Sequence, residues 1–277
     1  MSSAPLKPIV FYDIAFRAPY EETNSAPNPW KTRLALNLKA VSYNTTWVPL
    51  PDVEKVRRGL GVPACRTWGN GSDYYTLPVI TDPNTEEKIG DSFDIAVYLQ
   101  KTYPGSGPDL FPEQKLDYVY TPDQPSPVPL TDTRGGEHDN YAEFNMSVDA
   151  VFTEHVILMA HGMQLDAAGE QVFVKRAGVD SFGAFAFVGE PREQMMLSFK
   201  RKLEGLANVF KRDESGPFVL GTKASYADLI VGAWLRMASR TLENTEWEVM
   251  RGWHGGVFGR LHDALDRYAQ TDVGREV

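Results

Sequence analysis

The sequence predicts an α/β amino-terminal domain followed by an all-helical domain. Two observations support this: strand-like and helix-like segments alternate up to residue 104, and only helical periodicity follows the loop at residues 122–136. A length of 277 residues corresponds to about two domains. Because a turn-rich run at residues 103–108 breaks the pattern, we expect one domain over residues 1–104 and another over residues 112–277.

The first domain begins with a predicted β-strand at residues 8–13. A polar, turn-rich loop at residues 17–26 follows it. A helix is predicted next, because Asn28 is suited to be its N-cap and Pro29 to be its first residue. Apolar residues at helical spacing give this helix one buried face; they are Trp30, Leu34, Leu38 and Val41.

The rest of the first domain reads as alternating short strands and helices. The predicted elements are a strand at residues 43–49, a basic helix at 53–60, strands at 77–81 and 88–89, and a helix at 91–101. The order β-α-β-α-β-β-α predicts a small mixed sheet with helices on both of its faces.

The second domain carries two stripes of apolar residues that predict amphipathic helices. The stripes are Met196, Phe199, Leu203, Leu206 and Phe210, and then Tyr226, Leu229, Ile230, Ala233, Trp234 and Met237. Ser225 and Asp228 have the spacing of a capping box just before the second stripe. We therefore expect a well-defined helix start at this point.

Composition and charge exclude several classes of protein. No stretch approaches the ~18 consecutive apolar residues of a membrane span, and the amino terminus lacks the apolar run of a secretory signal. The single cysteine, Cys65, excludes a disulfide framework and CxxC redox or zinc sites, which favours a cytoplasmic protein. A net charge of −9 argues against a nucleic-acid surface. The five histidines show no ligand pattern, so we expect no metal.

The most informative feature is Pro78 between strand-like residues, with Asp91 and Ser92 a few residues later. A proline cannot donate to a sheet ladder, so Pro78 must lie at a strand start, an edge or a turn. Asp91 and Ser92 stand where a helix begins and can cap its free amides. A small zwitterionic peptide can be held here, with its carboxylate at the helix dipole and its ammonium at the aspartate.

These segments together resemble the cytosolic glutathione transferases, and within them the fungal etherase-like (FuA-type) class related to bacterial lignin β-etherases. The resemblance covers nearly the whole chain and rests on four segments in the right order: residues 28–37, 75–80, 91–99 and 224–228. It implies a thioredoxin-like first domain in which Pro78 is cis. It also implies that the main chain of Leu77 pairs with the cysteinyl backbone of glutathione, and that Asp91 and Ser92 hold the γ-glutamyl end.

The resemblance further implies a glutathione S-transferase that uses glutathione as co-substrate and attacks aromatic or phenolic electrophiles with its thiolate. In the etherase-like branch the reaction cleaves β-O-4 aryl ethers. The alternatives are a weakly catalytic or non-catalytic ligandin that binds wood-derived or other aromatic compounds, and a regulatory module with a vestigial site. A homodimer is implied as well. We expect the electrophile between the domains, where these side chains can line its site: Tyr118, Phe144, Met146, Phe152 and Met159.

Thiol activation is where the sequence departs from the family. A free thiol has a pKa of ~8.5, and lowering it by ~2 units needs roughly 2.7 kcal/mol of preferential thiolate stabilisation. One charge-assisted hydrogen bond and a helix amino terminus can supply this, so Ser25, Asn28 and Thr23 are the candidate donors. Related enzymes commonly carry serine where this chain has Ala26. We place Ser25 slightly ahead of Asn28, and backbone amides or a loss of activation remain open.

Three further features have alternative interpretations. Lys55, Arg57 and Arg58 can meet the glycyl carboxylate of glutathione, although we favour a solvent-exposed face. The loop at residues 122–136 can close over the pocket as a lid, although we favour a solvated insertion. Cys65 is expected to be a structural or loop thiol.

Overall fold

A computed structural model describes residues 5–126, 128–130, 136–272 and 274–276 of the chain. The amino-terminal elements are β1 (Ile9–Ala15), α1 (Tyr20–Thr23), α2 (Pro27–Leu38), β2 (Tyr43–Pro49), α3 (Val53–Leu60), β3 (Arg66–Thr67), β4 (Asp73–Tyr74), β5 (Val79–Thr81), β6 (Lys88–Ile89) and α4 (Ser92–Thr102). The remaining elements are α5 (Asp139–Glu154), α6 (Ile157–Ala160), α7 (Ala167–Ala177), α8 (Glu190–Lys202), α9 (Glu204–Phe210), α10 (Tyr226–Thr241), α11 (Asn244–Arg251), α12 (Trp253–Leu265) and β7 (Arg275–Glu276).

The main sheet is mixed, as the sequence predicted, with strand order β6-β5-β1-β2-β7. Strand β1 is parallel to β2 and antiparallel to β5, and Phe11 lies opposite Thr45 on one side and Ile80 on the other. Arg33 of α2 is buried and pairs with Asp13 of β1 at 2.7 Å, which ties this helix to the central strand. The thioredoxin-like first domain and the helical second domain are confirmed.

Two short pairings lie outside the predicted order. Strands β3 and β4 form a separate two-stranded sheet just before Pro78. Strand β7 comes from the carboxyl-terminal end and pairs with β2, although no strand was expected after the loop at residues 122–136. Its approach is fixed by Asp272, whose carboxylate accepts the Thr45 N–H at 2.8 Å. A strand of two residues leaves no periodicity in the sequence, which is why it was missed.

Helix α2 begins earlier than predicted, and the assignment of Asn28 as its N-cap is wrong. Ala26 is the N-cap, without a side-chain hydrogen bond, and Pro27 is the first helical residue. Asn28 and Pro29 follow as the second and third residues. A proline is tolerated in the first turn because its missing N–H would have no intrahelical partner. As a result, two of the first three residues of α2 have no amide to offer to a ligand, and Asn28 supplies the remaining one.

Helix α10 lies at the centre of the second domain and contacts α2, α5 and α12. The predicted capping box is present, since the Ser225 N–H donates to the Asp228 carboxylate at 2.7 Å. The other predicted stripe is divided between α8 and α9, because Leu203 interrupts the helix there. None of the helices in the described ranges is long and apolar enough to cross a membrane.

Candidate active site

The segment that precedes β5 has the geometry that the resemblance implied. The Leu77–Pro78 peptide bond is cis, and Val79 is the first residue of the strand. The strand therefore starts two residues later than predicted. Leu77 is buried against the core and forms part of a cavity wall. This places its main chain beside that cavity.

Asp91 and Ser92 form the start of α4, as predicted. The Asp91 carboxylate caps the helix by accepting the Phe93 N–H at 2.8 Å. The Ser92 carbonyl accepts the hydroxyl hydrogen of Tyr226 at 2.9 Å, and this bond joins α4 to α10. Both residues are buried. The start of α4 is consequently held by Asp91 in the first domain and by Tyr226 in the second.

Arg57 connects the two segments just described. Its Nη1 donates to the Thr76 carbonyl at 2.5 Å and its Nη2 to the Gly90 carbonyl at 3.3 Å. These carbonyls directly precede Leu77 and Asp91. A Cβ atom at Gly90 would lie 2.6 Å from Arg57 Nη2, so only glycine leaves room for this guanidinium.

The expectation that the basic residues of α3 face solvent is wrong for Arg57, which is fully buried. Arg57 lies one helical turn after the buried Val53, and this i, i+4 spacing puts both on the core face of α3. Lys55 is exposed, and the Arg58 side chain is 60% exposed and pairs with Glu54 at 2.9 Å. The spacing from Val53 was the signal that could have identified Arg57.

A cavity of about 190 Å³ lies between the two domains and brings together Leu77, Ala26 and Asn28. The Asn28 side-chain oxygen is buried and has no hydrogen-bond partner among the described residues. Ser25 is 1% exposed, and its hydroxyl also lacks a partner within the described ranges, but it is not part of the cavity wall. The Thr23 hydroxyl, at the end of α1, donates to the main-chain carbonyl of Arg17.

The apolar wall of the cavity differs from the expected one. The second domain contributes Thr153, Val156, Met163, Leu165, Phe173, Trp234 and Met237. The side chains that the sequence suggested for the electrophile site do not line this cavity; they are Tyr118, Phe144, Met146, Phe152 and Met159. Three of them, Phe144, Phe152 and Met159, are fully buried in the core. Asp149, Thr153 and Val156 share one face of the α5 region at i, i+4, i+7 spacing, and this face is turned toward the cavity.

A buried ion pair lies behind the cavity. Lys31 Nζ contacts Asp149 at 2.5 Å and Asn145 at 2.7 Å, which links α2 to α5. Burial lowers the pKa of Lys31, and the negative charge of Asp149 opposes this effect. Asp149 also accepts the Trp234 indole N–H at 2.7 Å. The one carboxylate in the described cavity wall is thus paired with a lysine and an indole N–H through its Oδ1.

The loop at residues 122–136 is described only in part, since residues 127 and 131–135 lie outside the described ranges. Val128 and Leu130 belong to the cavity wall, and the Pro129 carbonyl accepts a hydrogen bond from Arg66 at 3.2 Å. These three residues are half-buried, so the expectation of a solvated insertion is wrong for them. Cys65 has intermediate exposure and contacts Arg57 through its sulfur at 3.0 Å.

The arrangement offers a main-chain edge at Leu77, an acid and a hydroxyl at a helix start, and an amide side chain facing an apolar cavity. Such a set can hold a peptide and place its side chain against an aromatic compound. Among the described residues, no group of three or more His, Cys, Asp or Glu side chains could hold a metal ion.

Comparison with protein families gives two matches that together span most of the chain. The model described as "Glutathione S-transferase, N-terminal domain" matches residues 26–102. The model described as "Glutathione S-transferase, C-terminal domain" matches residues 144–268. The two matches fall on the thioredoxin-like and the helical parts of the fold.

Individual proteins show the same similarity along nearly their full length. "Glutathione S-transferase-like protein ustS" of Aspergillus flavus is 25% identical over 95% of this chain and 92% of its own. The crystal structure of the glutathione S-transferase CsGST63524 of Ceriporiopsis subvermispora, in complex with glutathione, matches with a TM-score of 0.77 and 26% identity over 96% of this chain and 99% of that one. Glutathione transferase GSTFuA3 from Phanerochaete chrysosporium matches with a TM-score of 0.73 and 26% identity over 97% and 100%.

Proposed function

We propose, from the premise that this chain belongs to the glutathione S-transferase family, that it transfers glutathione to aromatic electrophiles and cleaves β-O-4 aryl ethers. The observation that carries the proposal is one cavity that Leu77, Asn28 and the aromatic residues of the second domain share. A peptide held at Leu77 has its side chain directed into the same space as the aromatic substrate.

Glutathione binds along the edge before β5 in this proposal. Its cysteinyl backbone pairs with the main chain of Leu77, and its γ-glutamyl end lies at Asp91 and Ser92. The crystal structure of the related CsGST63524 in complex with glutathione supports glutathione as the thiol substrate. The buried Arg57 holds both binding segments in place through the carbonyls that precede them.

Asn28 is the residue that we propose to stabilise the thiolate. Its side chain lies in the cavity wall and its oxygen has no partner among the described residues, so the amide is free to turn its N–H toward sulfur. A charge-assisted hydrogen bond contributes about 1.5–3 kcal/mol and a helix amino terminus ~0.3–1 kcal/mol, which together cover a pKa decrease of ~2 units. Ser25 can take this role only if its loop rotates the hydroxyl into the cavity.

The reaction is displacement at carbon. The thiolate sulfur bonds to the β-carbon of the aryl ether while the carbon–oxygen bond breaks, and the electron pair leaves with the aryl oxygen as a phenolate. Holding both reactants in one cavity replaces an encounter in solution and accounts for much of the rate gain. Trp234 and Phe173 supply apolar surface for the ring.

The test is turnover of a fluorogenic β-O-4 aryl ether in the presence of glutathione. We expect release of the fluorescent phenol at a rate above that of glutathione alone, and formation of the glutathione thioether in equal amount. Asn28→Ala is expected to reduce kcat at pH 7 by about threefold, because a loss of ~1.4 kcal/mol of thiolate stabilisation raises the bound thiol pKa from ~6.5 to ~7.5 and lowers the ionised fraction from roughly three quarters to one quarter. Absence of the thioether with a range of aryl ethers and aryl halides contradicts the transferase proposal.

A second candidate function is a ligandin that binds aromatic compounds with little turnover. One observation favours it: the cavity has Ala26 where related enzymes commonly carry a serine hydroxyl. In this case an aromatic dye quenches the fluorescence of Trp234 at micromolar concentration while no thioether forms. If the dye quenches Trp234 fluorescence at micromolar concentration and the thioether also forms efficiently, the protein is an enzyme and not only a ligandin.

A further inference from the structure

We propose that the electrophile carries an anionic group, a carboxylate on the one aromatic ring that occupies the cavity, and that this group pairs with Arg176. The inference rests on the proposed function, since it names the substrate class of the same cavity. It follows from three features of the cavity: the Arg176 guanidinium has no paired carboxylate, the Asp149 carboxylate in the same wall is paired with Lys31, and the cavity is small and largely apolar.

Arg176 is the available cation. It lies in the last turn of α7, is half-buried, and contributes to the cavity wall. Its guanidinium carbon lies 5.2 Å from the centroid of the Tyr74 ring. Within the described ranges it has no carboxylate or other hydrogen-bond partner. A guanidinium stacked on an aromatic face keeps its N–H groups free at the edge, where they match the two oxygens of a carboxylate.

The charge around Arg176 favours an anion as well. Arg66 is in the same cavity wall, and its backbone pairs with Tyr74 in the β3–β4 ladder. Asp149, which also belongs to the wall, is neutralised by the buried Lys31 at 2.5 Å. Within the described cavity wall, Arg176 is therefore a positive charge without a paired carboxylate, in a chain whose net charge is −9. Such a cavity concentrates anionic ligands against the overall field of the protein.

The volume and the remaining wall define the rest of the ligand. The cavity measures about 190 Å³, and a cavity of ~150 Å³ is known to accommodate benzene. The same cavity wall includes the apolar side chains of Phe173, Met163 and Leu165. A single ring with one acidic substituent satisfies both the apolar wall and the free guanidinium.

The experiment compares benzyl isothiocyanate with its para-carboxylate, which present the same reacting carbon with and without an anion. In each case the thiolate adds to the isothiocyanate carbon and the nitrogen takes up a proton. We expect Arg176→Gln to reduce the ratio of kcat/KM for the anionic over the neutral compound by about tenfold, the effect of a lost charge-assisted hydrogen bond. The matched control is Lys175→Gln, which removes an exposed positive charge beside Arg176 but outside the cavity wall.

Three results overturn the inference. The first is an unchanged ratio in Arg176→Gln. The second is an equal decrease in Lys175→Gln, which would indicate only a long-range charge effect. The third is a rise in the KM of glutathione in Arg176→Gln that disappears when γ-glutamylcysteine replaces glutathione. That result would assign the anion to the glycyl carboxylate of glutathione instead of the electrophile.

Binding measurements keep the inference testable without turnover. If the wild-type protein converts neither isothiocyanate, the transferase proposal fails, and quenching of tryptophan fluorescence by para-nitrobenzoate and para-nitrobenzamide still reports on the cavity. We expect the carboxylate to bind about tenfold more tightly than the amide, and Arg176→Gln to abolish the difference. Equal affinities in the wild-type protein contradict the inference.

Discussion

Arg57 and Arg58 are neighbours in α3 with opposite environments. Arg57 is buried and donates to the Thr76 and Gly90 carbonyls, whereas the Arg58 side chain is 60% exposed and pairs with Glu54. The first therefore supports the segments that contain Leu77 and Asp91, and the second does not.

We expect Arg57→Gln to lower the free energy of unfolding by about 2–4 kcal/mol, because buried carbonyls lose their donors. The dissociation constant for glutathione should rise about tenfold, or ~1.4 kcal/mol, because Leu77 and Asp91 lose their shared support. Arg58→Gln is the matched control and should change stability by less than about 0.5 kcal/mol. Urea unfolding and calorimetric titration measure the two effects. Equal effects of the two substitutions would contradict this role of Arg57.

The positions of single residues could be predicted from the sequence where they depend on local backbone chemistry. Pro78, Asp91 and Ser92 could be placed because proline lacks a donor and short polar side chains cap helices. The sequence could not reveal whether Ser25 or Asn28 reaches the cavity, since this depends on the path of the preceding loop and on where α2 begins. That helix starts at a proline, two residues earlier than expected.

Among the helices, α10 and α7 each have an aspartate at or near their amino-terminal end that accepts backbone N–H groups, but the two aspartates have different surroundings. Asp228 in the first turn of α10 is fully buried and accepts from the Ser225 and Val219 amides at 2.7 and 2.8 Å. Asp166 at the N-cap of α7 is exposed and accepts from the Gly169 amide at 2.7 Å.

We expect Asp228→Ala to reduce the free energy of unfolding by about 2–4 kcal/mol, because two buried amides lose their acceptor. Asp166→Ala should cost only ~1 kcal/mol, the usual effect of losing an exposed cap. Urea unfolding followed by circular dichroism compares the two. If Asp228→Ala cost no more than Asp166→Ala, the central position of α10 in the fold would be in doubt.

Periodicity was sufficient to predict the elements with enough residues to show a repeat. The α10 stripe corresponds to one helix, but the stripe from Met196 to Phe210 could not reveal the break at Leu203, because apolar spacing continues across it. The pairs β3–β4 and β7 are only two residues long and depend on contacts distant in sequence. These strands form because of tertiary contacts, so the few residues of each strand do not show a pattern that predicts it.

At the scale of the whole molecule, the cavity is a product of the packing of the two domains. Its wall combines residues from β1 to α10, so its lining could not be inferred from any one segment. The aromatic content suggested Phe144 and Phe152, but these face the core of the second domain. The side of α5 that faces the cavity is instead marked by Asp149, whose partner Lys31 comes from the other domain.

The stability of the whole fold should depend on pH through His155. It is buried at the end of α5, stacks on Phe199 with ring centroids 4.7 Å apart, and donates through Nδ1 to the Val151 carbonyl at 2.7 Å. Burial lowers its pKa below the ordinary value of 6.5. Below pH ~6.5 the unfolded chain therefore binds a proton that the folded chain does not, and the free energy of unfolding falls as the pH decreases.

His155→Gln is expected to reduce this slope by up to one bound proton below about pH 6.5. The free energy of unfolding in urea at a series of pH values gives the slope. Burial also lowers the pKa of His262, so part of the dependence should remain. An identical slope in wild-type protein and His155→Gln would contradict the assignment.

The central claim is that the glutathione thiol is bound as a thiolate next to Asn28. Ultraviolet difference titration of the bound thiolate tests it most directly. We expect a bound thiol pKa near 6.5, ~2 units below the free value of ~8.5, and an increase of about 1 unit or more in Asn28→Ala. An increase in Ser25→Ala alone would transfer the role to that serine. A bound thiol that still titrates near pH ~8.5 in the wild-type protein would contradict the claim.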